Sequence, residues 1–337
     1  MLTDRAGDYV EIQAGLGKTQ YECIPMPPKC VWTFSECYTL ADIPREMVSG
    51  SYNELVNAVK DQISSLGGCQ GLDRRLASIS KEINSQKGKV ILKGSGFGYL
   101  NGLLGAKIPQ QLAFCDNSDV AEWIRLRSGD ETACPKTFAY GERMEQLLLS
   151  QFHSTNWNVT YQLALIAYDR RDFKLAQNHC SRSLLLESNA YNNHLYAHIL
   201  YQLGDPECVY FAKKSLRHNR ESYCLAESIF SLLIKADACA DLIQEYESLY
   251  DPLKKIPRLM MYLSYAYLKC GDAEKAEKIL YYEGGLNLLD AREGDRFLDN
   301  LYRGIRKELY GEDPAEVVVP EQFDFIVADF FAEKKPE

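Results

Sequence analysis

Few side chains in this chain have the type and spacing for chemistry. His194 and His198 stand four residues apart, the helical spacing that can bring two imidazoles to one metal ion. A third ligand, such as His179, would have to come from the preceding helix. Leu195 stands where a zinc-protease helix carries its glutamate. The pair therefore reads as contacting a protein partner or solvent, and no metal is expected. Cys23, Cys30 and Cys37 recur every seven residues, whereas zinc sites bring cysteines two to four residues apart. They read as small, adaptable filler. Gly94-Ser95-Gly96-Phe97-Gly98 lacks the glycine spacing and the following Lys-Ser/Thr of a phosphate-cradling loop. A tight bend where backbones approach closely is expected there. No cofactor follows from any of these groups.

The elements that must position the histidines form a repeat. Acidic turns read Arg171-Asp172, Gly204-Asp205, Ala236-Asp237 and Gly271-Asp272, with the aspartates 33, 32 and 35 residues apart. A tetratricopeptide unit is about 34 residues long. Leu163, Ala164, Ala167 and Tyr168 before the first turn match Leu263, Ala266, Tyr267 and Leu268 before the last. Ala176 and Ala276 each follow their aspartate by four residues, where two closely crossing helices need a small side chain. Residues 157–282 are thus expected to be stacked helix pairs, a tetratricopeptide-like α-solenoid within a segment spanning 151–310.

Upstream, Ser51-Tyr52-Asn53-Glu54 spells a capping box that opens a helix with Leu55, Val56, Val59, Ile63 and Leu66 on one face. Gly67 and Gly68 end it, and a second amphipathic helix carries Leu72, Leu76, Ile79 and Ile83. Ser118 precedes a short helix with Val120, Trp123 and Ile124. Residues 46–150 read as a helical adaptor. Residues 1–45 differ: Tyr9, Glu11 and Gln13 alternate with Val10 and Ile12, and Trp32, Phe34, Glu36 and Tyr38 alternate with Thr33, Ser35 and Cys37. Period two is the mark of a half-buried strand. Two strands are marginal in water, so the rest of a sheet is expected to be missing, and a remnant from a truncated or split reading frame is a third reading beside a binding module and an enzyme's C-terminal part. The apolar ending, from Val317 through Phe323, Phe325 and Phe331, is expected to cover the last helix as a capping tail over 311–337.

Five segments carry a resemblance. YVEIQAGLGKTQYECIPMPP at 9–28 followed by WTFSECY at 32–38 resembles a junction in large bacterial tetratricopeptide proteins of domain-of-unknown-function family 5107. KGSGFGYL at 93–100, DAREGDRFLDNLY at 290–302 and VPEQFDF at 319–325 match further along, in the right order. The resemblance implies a mutarotase-like β-sandwich ahead of the helices, of which 1–45 would be a small strand remnant. It also implies that Glu11 and Gln13 match a mutarotase motif whose carboxylate works on a sugar. Such a carboxylate needs a positioned acid partner, and all five histidines lie between His153 and His218. Glu11 and Gln13 are therefore expected to bind carbohydrate only with a missing domain, and no catalytic residue is assigned.

Composition narrows the function. Of 337 residues, 46% are apolar, and the formal net charge is −9, which disfavours binding to phosphate backbones. Asp4, Arg5, Asp8 and Glu11 break any apolar leader, and no run is long enough to cross a membrane. Eleven scattered cysteines suit a reducing cytoplasm. The mostly α chain is expected to be a scaffold or binding module of a carbohydrate-related protein, not an enzyme as an isolated chain. Its partner would be a protein or an upstream carbohydrate domain, and it could form a homo-oligomer. The alternative is the C-terminal portion of a mutarotase-like or glycosidase-like enzyme.

Overall fold

A computed structural model describes residues 14–17, 24–34, 36, 38, 40, 42–65, 67–86, 88–109, 112–116, 118–138, 141–289, 291 and 295–325. The strand expected at 9–13, with Glu11 and Gln13, lies outside them, as do Cys23 and Cys37. The described residues are mostly helical, and their β structure is limited to a parallel bridge between Gly94 and Phe114. The strand expected at 32–38 is not formed by its described residues. Trp32, Phe34 and Tyr38 are exposed, and no neighbouring strand among the described residues satisfies their backbone groups. Alternation alone does not make a strand.

The chain divides into two units, Met1–Leu92 and Lys93–Glu337, so the boundary falls inside the segment read as one adaptor. In the first unit, α1 (Arg45–Val48) is followed by α2 (Tyr52–Ser65) and α3 (Gly68–Ser85). The Gln62 side-chain amide donates to the Asp42 carbonyl and accepts from its N–H, tying the chain before α1 to α2. Gly67 and Gly68 both have positive φ, at 96° and 59°, values that glycine adopts without steric cost. The apolar faces are less covered than their periodicity implies: Leu55, Val56, Val59, Leu72 and Leu76 are half-buried, and Ile63, Ile79 and Ile83 are exposed.

The second unit holds α4 (Gly96–Leu103), α5 (Ser118–Arg127) and α6 (Glu142–Ser150). The glycine-rich stretch is the entry to α4 and not only a bend. What approaches closely is a ring: a Cβ on Gly94 or Gly98 would lie 2.7 or 2.1 Å from Phe114. Trp123 is fully buried in a core with Leu100, Leu126, Leu148 and Ile166, and its indole N–H donates to Thr137 Oγ1 at 2.9 Å.

Helices then come in pairs: α7 (Trp157–Asp169) with α8 (Phe173–Leu186), α9 (Ala190–Gln202) with α10 (Cys208–His218), α11 (Tyr223–Lys235) with α12 (Cys239–Glu247), and α13 (Pro257–Lys269) with α14 (Ala273–Leu280). α15 (Phe297–Tyr310) packs on α13 and α14. Every pair is closed by the same turn. The left-handed residues are Arg171, Gly204, Asp237 and Gly271. The next N–H in each case reaches back to the carbonyl five residues earlier: Asp172 to Ala167, Asp205 to Leu200, Ala238 to Leu233 and Asp272 to Tyr267, each at 2.9 Å.

This corrects the third turn. Asp237 holds the left-handed position itself, and Ala238 takes the place of the capping aspartate, with no side-chain cap bond. Counted by the left-handed residue, the turns are 33, 33 and 34 residues apart. Asp172 and Asp272 cap their helices through Oδ1 to the N–H of Leu175 and Lys275. Ala176 and Ala276 are fully buried. A second link recurs: Ser183 Oγ donates to the carbonyl of Trp157, and Ser215 Oγ to that of Ala190, both at 2.9 Å. Each serine ties the second helix of its pair to the first residue of the first helix.

Beyond α15, Phe323 is fully buried between Tyr281 and Tyr302, with ring centroids 5.6 and 5.8 Å away. Arg303 donates to the carbonyls of Pro314 and Val317 while paired with Asp299. The segment 312–325 thus lies over the end of the helical core. No helix among the described residues is long and apolar enough to cross a membrane.

Candidate functional site

The first helices of successive pairs are joined side by side through rings and polar groups, forming a ladder that runs from α7 to α15. Between α7 and α9, Trp157 stacks on Tyr191 at 6.3 Å and Tyr161 meets the same ring edge-on at 6.2 Å. Between α9 and α11, His194 Nε2 and His198 Nε2 converge on Ser228 Oγ at 2.8 and 3.2 Å. Between α11 and α13, the Tyr262 hydroxyl donates to Glu227 Oε1 at 3.0 Å. Finally, Phe297 of α15 packs against Tyr262 and Tyr265.

The histidine pair is set by helix geometry and by a residue about one repeat away. Four-residue spacing places the two rings on one face of α9, 4.7 Å apart and edge to face. Ser228 then supplies one hydroxyl to two acceptor-or-donor nitrogens. A hydroxyl has one proton to give. At most one imidazole can therefore accept from Ser228, and at least one donates its Nε2–H to the hydroxyl oxygen. Burial, and then the neighbouring His198, push the His194 pKa down to about 4. Burial, and then Lys235, lower that of His198. Both rings are neutral at pH 7. Tyr262 is held protonated by burial and by Glu227, and Tyr161 by burial.

The arrangement suits hydrogen bonding and ring stacking. A base with a pKa near 4 takes a proton poorly from a hydroxyl at neutral pH, and the Ser228 hydroxyl is shared between two rings. His179, the possible third metal ligand, sits on α8 with its ring 5.7 Å from Phe152. No group of three or more His, Cys, Asp or Glu side chains able to hold a metal ion occurs among the described residues. Cys180, Cys208 and Cys239 are buried free thiols, and burial raises the pKa of each.

Sequence reasoning found the histidines but not their partner Ser228, because the contact spans 34 and 30 residues and depends on how α9 and α11 cross. It also missed a polar face on α7. Asn156, Asn158 and Gln162 donate side-chain N–H groups to the carbonyls of Ala133, Pro135 and Thr137, holding residues 133–137 along the helix. The signal was present as Asn158 and Gln162 on a helix otherwise rich in apolar positions, with Asn156 at its N-cap. Glu11 and Gln13, expected to line a sugar site, lie outside the described residues.

Compared with protein-family models, characterised proteins and solved structures, the chain matches none.

Proposed function

We propose that the chain is a tetratricopeptide-like helical solenoid that binds a protein partner along the ladder of its first helices, as a scaffold in the cytoplasm. The observation that carries this reading is the ladder itself: aromatic rings, neutral imidazoles, a hydroxyl and a carboxylate lined up across four consecutive first helices. Such a surface offers large contact area with few charges to desolvate, the composition favoured at the centre of protein interfaces. The turns spaced 33, 33 and 34 residues apart support the repeat, because that is the length of the tetratricopeptide unit.

The test is site-specific photo-crosslinking in the native host. Crosslinkers at Tyr191 and Ser231, on the first helices, are compared with crosslinkers at Lys174 and Tyr210, on the second helices. One protein captured in stoichiometric yield at the first two positions, and released by His198→Arg, supports the reading. Equal capture from both sets overturns it.

The resemblance at 9–28 and 32–38 to family 5107 favours one kind of partner, a mutarotase-like sandwich domain. In that reading the helices form the rear of a carbohydrate-related protein, and Glu11 and Gln13 serve a sugar site only together with the sandwich. Co-purification of such a domain, encoded in frame or beside this chain, supports it. A neighbouring sandwich that elutes separately at micromolar concentration speaks against it.

A further inference from the structure

Four equivalent turns ask for the same left-handed backbone, and they answer differently. Gly204 and Gly271 meet the requirement without strain, whereas Asp237 at φ 54° and Arg171 at φ 61° carry full side chains, at a steric cost that glycine does not carry and that is larger for a long side chain such as arginine's than for aspartate's. Nothing in the turn itself needs an arginine. Its neighbour Arg170 is engaged with both carboxylate oxygens of Glu145, but Arg171 makes no ion pair among the described residues. Arg171 is exposed and lines a pocket of about 500 Å³ that opens to solvent, a volume within the usual range for small-molecule sites.

The rest of the cavity specifies what could fill it. Tyr168 and Phe173, edge to face at 5.5 Å, and Phe138 provide ring surface, while Asp169 and Gln202 add an acceptor and an amide. One cation and one carboxylate make the lining neutral overall yet charged at two points. A simple anion would meet Asp169, and a simple cation would meet Arg171. A molecule that carries both charges on a small head and a ring behind them complements all three features. We propose that this cavity binds an aromatic amino acid as its zwitterion. Its carboxylate lies on Arg171 in the bidentate geometry guanidinium favours, its ammonium faces Asp169, and its ring packs among Phe138, Tyr168 and Phe173. The site stands apart from the ladder and does not depend on the partner-binding reading.

The test uses the full chain and L-phenylalanine, titrated by calorimetry and by saturation-transfer NMR. Arg171→Gly is the informative variant, because glycine suits the left-handed turn and the fold keeps its melting temperature. The expected result is binding by the parent chain, weakened at least about tenfold in Arg171→Gly, as for loss of a charge-assisted pair. Phenethylamine, which lacks the carboxylate, and 3-phenylpropionate, which lacks the amine, are each expected to bind at least about tenfold more weakly than phenylalanine. Absence of phenylalanine binding, unchanged affinity in folded Arg171→Gly, or equal binding of either analogue overturns the proposal. Should Arg171→Gly lose its fold, Arg171→Gln carries the same comparison with the same two outcomes.

Discussion

His194 on α9 and Ser228 on α11 share a hydrogen bond of 2.8 Å across 34 residues of sequence, so a half-buried neutral imidazole forms part of the joint between two helix pairs. Its folded pKa of about 4 lies below the ordinary value of 6.5. The unfolded chain therefore takes up a proton that the folded chain refuses. The stabilisation is fully present above about pH 6.5 and is lost as pH falls towards 4, on the order of 3 kcal/mol in all. Melting temperature measured between pH 7.5 and 4 should fall less steeply in His194→Gln than in the parent. Identical slopes would remove the imidazole from the joint.

The two registers for the third turn make opposite forecasts. Asp172→Ala and Asp272→Ala each remove a helix cap and should cost about 1 kcal/mol. Asp237→Gly should be neutral or stabilising, because glycine suits the left-handed angle and no cap is lost. Urea denaturation separates the cases. A loss at Asp237 as large as at Asp172 would mean that Asp237 caps its helix after all.

Gly98 lies beneath the ring of Phe114, where an added methyl would sit 2.1 Å from it. Gly98→Ala is expected to cost about 1–3 kcal/mol by overpacking. Phe114→Leu in the same chain should recover part of that loss, as a double-mutant cycle on unfolding would show. A cycle with no coupling would contradict the close approach.

Phe323 is fully buried against Tyr281 and Tyr302. Phe323→Ala should cost about 3 kcal/mol, felt first as faster amide exchange in α14 and α15. Exchange unchanged in those helices would mean that the segment 312–325 contributes nothing to them.

The sequence by itself determined the local features. Gly204-Asp205 and Gly271-Asp272 announce turns because a left-handed backbone and a capping carboxylate act within a few residues. The apolar periodicity between those turns announces helices for the same reason. Local chemistry misled where one residue type serves two positions. Asp237 aligned with the aspartates of its three sister turns, yet aspartate also tolerates left-handed angles, and the structure uses it so. The alternation at 32–38 gives no strand among its described residues, because a strand needs a neighbour that no pattern within one segment supplies. Only the tertiary structure decided which groups meet. Ser228 between two imidazoles, Phe114 over Gly98 and residues 133–137 along α7 all arise from helices crossing at distances and angles set by the packing of every side chain between them. That information is spread over the whole core and is written in no short stretch of the chain.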